Sequence, residues 1–321
     1  MNVSEMLKNV KGICKPITNI DTFIRRALNR GQHVINSKSP QGGWFFLRQY
    51  RFPLSVTAST AAYSLSHLVD TSKIINFWDE DNDVYINPMT EQAFRRRVPN
   101  PSGDTGTSYL YRLKGYSPVQ NQPSSASVIT IVSSSASDTT QSVTIQGLNG
   151  SSVYIQETVD LNGTTNAVST ASFSKIMGLS KSATTVGSVA VTSNSGGVTN
   201  VVIAPKDRFL SHPVVEFYTI PSETQTLYYD FTLKLSDIYD DDDCSLIPEK
   251  YHDVIELYAI SKTFESLKNT EQKMIAMQEF ELRIKDMEKE NYQPQGIKTF
   301  ESIGDYNSHN EPRLPSNYPR V

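Results

Sequence analysis

The stretch SVTIQGLNGSSVYIQETVDL, residues 142–161, decides how the middle of this chain is interpreted. Val143 and Ile145 alternate with polar residues, and the same period of two resumes after the Asn-Gly pair in VYIQETVDL. Alternation of this kind is typical of a strand with one buried face, and Asn-Gly is a strong signal for a tight turn. The stretch therefore predicts a β-hairpin.

The same pattern extends outward over residues 122–204. Short alternating runs recur in SFSKIMGLS, SVAVTS and TNVVIA. Charged residues are scarce in this region and comprise only Asp138, Glu157, Asp160, Lys175 and Lys181. Regularly spaced short strands with turn signals predict an antiparallel, immunoglobulin-like β-sandwich. A low-complexity linker is the alternative, and the β-branched residues at period two favour the sandwich.

The flanking parts of the chain have a different composition. Met6, Val10 and Ile13 recur at helical spacing, and Asn269-Thr270 can cap a later helix. Aromatic-rich strands lie between the helical segments. The predicted fold class is α+β: a helical bundle with a small antiparallel sheet as core, plus the inserted sandwich. The predicted domains are the core, residues 1–121 and 205–291; the sandwich, residues 122–204; and an extended C-terminal tail, residues 292–321.

Charge and cysteine content restrict the class of protein. The formal net charge is −4, which does not mark the chain as a general binder of nucleic acid or anionic membranes. Its two cysteines, Cys14 and Cys244, are far apart in the sequence; one disulfide and two free thiols are the alternatives, and free thiols in a reducing cytoplasm are expected. We find no signal peptide and no apolar run long enough for a membrane span, so a cytoplasmic site of synthesis and no membrane partner are expected.

Motifs for catalysis are absent from the sequence. The histidines do not occur at HxH or HExxH spacing, and neither cysteine belongs to a CxxC pair. Phosphate-binding glycine loops and the GxSxG elbow do not occur either. We therefore expect a protein that is not an enzyme, with no metal, no cofactor and no catalytic residues.

An acidic run, Asp240, Asp241, Asp242 and Asp243, admits three interpretations. It can be a solvated loop whose charge favours the helix that starts near Pro248. It can be a calcium loop, although the spaced D-x-D-x-D-G pattern is missing. It can also line a channel through which DNA slides, because carboxylates repel a phosphate backbone.

Two further groups of residues are candidates for packing and binding. Trp44, Phe45 and Phe52 follow a glycine break and are expected to pack in the core. The tail is either disordered or a segment that folds on binding. On the second interpretation it offers spaced apolar anchors, namely Tyr292, Ile297, Phe300, Ile303, Tyr306, Leu314 and Tyr318.

The serial order of elements resembles the head-to-tail adaptor, or connector, proteins of tailed bacteriophages. The segments that carry the resemblance are ALNRGQHVIN, GGWFFLRQYRFPLSV, AAYSLSHLVDTSKIINFWDED, NPMTEQAFRRR, YRLKGYSP, HPVVEFYTIPSETQTLYYDFTLKLSD and SLIPEKYHDVIELYAISKTFESL. Together they cover the chain outside residues 122–204. The inserted domain is a departure from the family pattern.

The resemblance implies a homo-oligomeric ring, a dodecamer, in the virion neck between head and tail. Its implied partners are the portal protein, tail or tail-completion proteins, and genomic DNA in transient contact. The helices would pack between neighbours and against the portal, and the tail would reach the portal. The alternative function is a virion decoration or receptor-binding protein that uses the β-sandwich.

Overall fold

Four of the five helices in the described chain lie near its two ends, and the strands lie between them. The computed structural model describes residues 1–15, 20–40, 43–73, 75–98, 104–194, 197–238 and 240–292. The helices are α1 (Val3–Cys14), α2 (Asp21–Ser37), α3 (Glu91–Arg97), α4 (His252–Ser266) and α5 (Thr270–Tyr292), with 3₁₀ turns at Phe45–Leu47 and Glu249–Tyr251.

The strands fall into three groups along the chain. The first is β1 (Arg48–Val56), β2 (Ala62–Ser64), β3 (Asn76–Asp79), β4 (Val84–Pro88), β5 (Thr105–Gly106) and β6 (Leu110–Ser117). The second is β7 (Ser127–Ser133), β8 (Ser142–Leu148), β9 (Tyr154–Asp160), β10 (Ala167–Phe173), β11 (Lys175–Lys181), β12 (Val189–Ser193) and β13 (Val198–Ile203). The third is β14 (His212–Tyr218), β15 (Ile220–Pro221) and β16 (Gln225–Thr232).

The chain divides into a helical unit and a β-rich unit. The helical unit is Met1–Phe46 together with the described residues from Leu235 onward, and the β-rich unit is Leu47–Lys234. The domain boundaries predicted at residues 121 and 204 stay a prediction.

Helix α4 lies at the centre of the helical unit and packs against α1, α2 and α5. Gly31 of α2 allows a close approach, because a Cβ atom there would lie 3.2 Å from the carbonyl oxygen of Ile255. Helix α1 begins with a capping box, in which Asn2 Oδ1 accepts the Glu5 N–H and Glu5 Oε2 accepts the Asn2 N–H, each at 3.0 Å. This exchange satisfies two backbone donors at the start of the helix.

Trp44 is completely buried in the helical unit, where its indole Nε1 donates to the Ile35 carbonyl at 3.0 Å. The expectation that Phe45 and Phe52 also pack in the core is wrong, since these side chains are 43% and 44% exposed. Successive residues of a 3₁₀ turn point in three directions, so Leu47 is buried while Phe45 faces outward. Phe52 lies on an edge strand, where its ring makes edge-to-face contacts with Tyr229 and Phe231 of β16.

A seven-stranded sheet forms the first layer of the β-rich unit, in the order β1-β16-β3-β4-β6-β14-β2. Its edge strands β1 and β2 are consecutive in sequence, and only residues 57–61 connect them. In a flat sheet the outer strands would lie about 29 Å apart, at ~4.8 Å per strand. The connection spans about 20 Å at most. The sheet is therefore curled.

The inner face of this curled sheet holds an aromatic core. Phe77 lies 4.7 Å from Tyr111, 5.2 Å from Tyr229 and 5.3 Å from Phe217, measured between ring centroids. The Tyr111 hydroxyl donates to the Ile75 carbonyl, so this buried phenol has a hydrogen-bond partner. Burial raises the pKa of Tyr111 to about 12.

Residues 127–203 form two further sheets around a core of their own. One has the order β10-β7-β12-β13 and the other β11-β8-β9. Val143, Ile145, Phe173 and Val191 are completely buried in the shared core. The predicted hairpin is confirmed as β8 and β9, paired from Ser142 with Asp160 to Leu148 with Tyr154. We call residues 127–203 the two-sheet region.

The two-sheet region leaves and rejoins the curled sheet at neighbouring positions. The chain departs after β6 and returns at β14, and Ser117 at the end of β6 pairs with His212 at the start of β14. The two ends of the region therefore start from adjacent strands.

Two of the few charged residues in the region are buried and bonded. The Lys181 ammonium donates to Thr185 Oγ1 and the Ala204 carbonyl at 2.8 Å each, and to the Pro205 carbonyl at 3.0 Å. The Asp138 carboxylate accepts from Ser133 Oγ at 2.5 Å and from two backbone N–H groups near 2.8 Å. These charges fix loops at the ends of the strands, where an unpaired ion would be costly.

The predicted fold class is wrong. Strand residues make up 36% and helical residues 29% of the described chain, and the core is not a helical bundle with a small sheet. The strands of the curled sheet come from separated stretches of the chain, so no single stretch indicates how large the sheet is. Their pairing across long sequence separations creates the large sheet, and periodicity does not reveal such pairing.

Replacing Trp44 with alanine tests the packing of the helical unit. We expect Trp44→Ala to lower the free energy of unfolding by about 3–5 kcal/mol, the range for emptying a buried aromatic site. Phe45→Ala is the matched control and should cost about 1 kcal/mol, because this side chain is only partly buried. Urea unfolding followed by circular dichroism at 222 nm measures both. Equal losses for the two variants would contradict the described packing.

Candidate interaction surface

Helix α5 is held at both ends against the rest of the helical unit. At its start, Asn269 Oδ1 accepts the Gln272 N–H at 3.2 Å, as the predicted cap requires. The Glu265 carboxylate next to this turn accepts from Lys262 at 2.8 Å and from Lys273 at 2.7 Å. These hydrogen bonds lower the pKa of Glu265 to about 2.

The C-terminal end of α5 is anchored to the 3₁₀ turn that precedes α4. The Glu290 carboxylate accepts from the Lys250 ammonium at 2.5 Å and from the Tyr251 hydroxyl at 2.6 Å. The hydrogen bond from Lys250, followed by that from Tyr251, lowers the pKa of Glu290. With both ends fixed, α5 presents a defined outer surface.

Apolar residues occur on two faces of α5. The inner face is buried and consists of Ala276, Phe280, Ile284 and Met287. The ring centroid of Phe280 lies 5.6 Å from that of Tyr258 on α4. The opposite face is open, and Met274 and Leu282 on it are 56% and 60% exposed. We call this open face the outer stripe; it is a shallow groove lined by Met274, Met277, Gln278, Glu281, Leu282 and Lys285.

The spacing of residues along α5 indicates a second face, the outer stripe, beside the buried face. Met274 precedes Phe280 by six residues, which places the two side chains about 120° apart around a helix with 3.6 residues per turn. The spacing from Met274 to Gln278 and Leu282 defines the second face.

The acidic run makes contacts with the start of the chain. The backbone carbonyls of Asp243 and Asp241 accept the N–H groups of Val3 at 3.0 Å and Ser4 at 3.1 Å, in the first turn of α1. The Asp241 carboxylate also forms an ion pair with Arg25 of α2. The run therefore satisfies backbone donors of α1. The solvated-loop interpretation instead predicts that its charge stabilises the helix that starts near Pro248.

Most of the acidic run is exposed to solvent. Asp240, Asp241 and Asp242 are exposed, and Asp243 is half-buried. In the described part of the chain, no group of three or more His, Cys, Asp or Glu side chains is arranged to hold a metal ion. That the run lines a channel stays a prediction.

The predicted anchors of the tail lie outside the described residues, except that Tyr292 ends α5. The anchors outside the described residues are Ile297, Phe300, Ile303, Tyr306, Leu314 and Tyr318. Their assignment to portal binding stays a prediction.

Comparison with known proteins gives no family for this chain. No protein-family model matches it, and no curated protein matches it at a significant level. Among the described helices, none is long and apolar enough to cross a membrane.

Two substitutions on opposite faces of α5 test which face is already covered. Phe280→Ala should destabilise the helical unit by about 3–5 kcal/mol, because it empties a buried site against α4. Leu282→Ala should change the free energy of unfolding by less than about 0.5 kcal/mol in the monomer. Urea unfolding at dilute protein concentration measures both. A large loss for Leu282→Ala would show that the outer stripe is covered within the chain.

Proposed function

We propose that this chain is a structural virion protein, a head-to-tail adaptor that forms a ring beneath the portal and connects capsid to tail. In this proposal the ring lines the channel through which DNA leaves, and its partners are the portal protein, tail or tail-completion proteins and copies of itself. The chain carries out no catalysis and needs no cofactor. The order of sequence elements supplies the family resemblance, and the resemblance implies a dodecamer located in the virion neck.

The observation that carries the proposal is the outer stripe of α5. Contiguous apolar surface on a fixed helix is costly in water and marks a site of protein association. In a closed ring, each copy covers the same surface of its neighbour with a different surface of its own, so no stripe is left open. An adaptor ring accounts for an apolar face that the helical unit itself leaves uncovered.

The proposal gives different tasks to two parts of the helical unit. The outer stripe forms subunit contacts, and the acidic run faces the channel, where its carboxylates prevent DNA from adhering. The segment after α5 reaches the portal through its spaced aromatic residues, because aromatic side chains bury a large surface area while losing few rotamers. The channel and portal assignments are predictions of the adaptor hypothesis.

A charge placed on the outer stripe tests ring formation. Leu282→Glu should prevent assembly, because a buried, unpaired carboxylate in a subunit contact costs several kcal/mol. Gln272→Glu is the matched control: it adds the same charge to the first turn of the same helix, where the helix dipole favours it. Mass photometry and electron microscopy of the purified proteins give the copy number.

Rings are expected for the wild-type protein and for Gln272→Glu, and monomers for Leu282→Glu with an unchanged far-ultraviolet circular dichroism spectrum, which shows that the variant is folded. A wild-type protein that stays monomeric up to millimolar concentration, and in the presence of portal, would contradict the adaptor hypothesis. Rings formed by Leu282→Glu would show that subunits associate through another surface.

The channel assignment is tested at Asp242, whose side chain is exposed. In virions, Asp242→Lys should slow DNA ejection, and the delay should shrink as salt rises, because added salt weakens contacts with phosphate. Asp160→Lys, at an exposed position of β9, is the control and should eject normally. Fluorescence of a DNA dye during triggered ejection measures the rate. Normal ejection by Asp242→Lys at low salt would place the acidic run outside the channel.

A further inference from the structure

The outer face of the curled sheet is covered over only part of its width. Helix α3 covers it at β6 and β14, where Phe94 lies 4.6 Å beneath the Arg112 guanidinium. Arg112 Nε donates to buried Glu216 at 2.6 Å, and Lys114 pairs with the same carboxylate at 2.7 Å. Burial opposes ionisation of Glu216, but the hydrogen bonds from Lys114 and Arg112 outweigh it and lower the pKa. At Arg112 and Glu216 this face is therefore covered by the chain itself.

The same face carries a row of rings across four adjacent strands. Pro53 of β1 pairs with Tyr228 of β16, Tyr228 with Trp78 of β3, and Trp78 with Tyr85 of β4. Neighbouring residues in these strands, Phe77 among them, point into the core, so the row faces outward. We call Pro53, Tyr228, Trp78 and Tyr85 the aromatic strip.

The strip is accessible to solvent. Trp78 and Tyr228 are stacked with ring centroids 6.2 Å apart and planes 26° apart, and both side chains are half-buried. Tyr85 at the end of the row is 74% exposed. At ~4.8 Å per strand, the row is roughly 14 Å long.

Carboxylates border the strip on the turn between β3 and β4. Buried Asp79 fixes this turn by accepting from the Asn82 backbone at 3.1 Å and from its side chain at 2.8 Å. The fixed turn leaves Glu80, Asp81 and Asp83 exposed.

Arg51 shows how the aromatic strip and the carboxylates beside it bind a cation. A β-bulge between Gln49 and Phe52, with Arg51 at φ 55°, turns the Arg51 side chain over the strip. Its guanidinium carbon lies 5.1 Å from the Tyr228 ring centroid, and its Nη2 pairs with Glu80 at 2.7 Å. Aromatic faces and carboxylates together favour a guanidinium group.

We propose that the aromatic strip binds an extended peptide of a partner protein that contains proline and arginine. A polyproline II segment presents rings at 3.1 Å per residue without internal hydrogen bonds, so about four or five residues would lie along the strip. Prolines pack on Tyr85 and Trp78, as in other aromatic-lined grooves for such segments. Arginines meet Asp81 and Asp83. Nucleic acid is disfavoured, because the acidic border repels phosphate.

The site is independent of the adaptor hypothesis, since it uses residues of the β-rich unit and needs no ring. The probe is a synthetic twelve-residue peptide with the repeat Pro-Pro-Arg, titrated into the full chain by isothermal calorimetry and by two-dimensional NMR. The same repeat with glutamate in place of arginine is the control peptide. An oligosaccharide, cellohexaose, tests whether the rings bind sugar instead.

Binding of the arginine peptide is expected to weaken at least tenfold in Tyr85→Ala, and severalfold in a double variant with Asp81→Asn and Asp83→Asn. Tyr154→Ala is the matched control: it removes an exposed tyrosine from β9, in the two-sheet region, and should bind as the wild type does. Both tyrosine variants should melt as the wild type does, because their side chains are exposed.

Three results would overturn the proposal: no binding of the arginine peptide up to millimolar concentration, equal binding of the glutamate peptide, or binding unaffected by Tyr85→Ala. Binding of cellohexaose at the strip without binding of the arginine peptide would also overturn it and would assign the rings to a sugar.

Discussion

Five residues connect the two edges of a seven-stranded sheet, and the curl that this short connection imposes shapes the whole β-rich unit. A flat sheet would separate β1 from β2 by more than residues 57–61 can span. The curl gathers Phe77, Tyr111, Phe217 and Tyr229 on the inner face into one aromatic core. It also gives the sheet an outer face, which α3 covers at Arg112 and Glu216 and which carries the aromatic strip on β1, β16, β3 and β4.

Local features of this fold could be predicted from the sequence because their signals lie within a few residues. The hairpin of β8 and β9 follows from period-two alternation around Asn149-Gly150. Thr90 Oγ1 accepts the Ala93 N–H at 3.3 Å at the start of α3, as its position before a helical run indicates. In each case the cause and the structure are neighbours in the chain.

Features that depend on distant pairing could not be predicted in this way. Trp78, Tyr85 and Tyr228 are separate aromatic residues in the sequence, and only the order of strands places them side by side. The contacts of the acidic run could not be predicted either, because the N–H groups that donate to it belong to α1, more than two hundred residues earlier in the chain. The outer stripe of α5 is difficult to predict for another reason: its residues Met274 and Leu282 lie in the sequence among those of the buried face, such as Phe280 and Ile284.

The adjacent exits of the two-sheet region have a mechanical consequence. Because Ser117 and His212 are paired, both connections to the region leave the same end of β6 and β14. A tension applied to the region pulls these two antiparallel strands in the same direction, so they do not slide past each other. The hydrogen bonds between them run perpendicular to that pull and are not stretched by it. The region can therefore transmit force to the curled sheet without unzipping the strand pair from which it emerges.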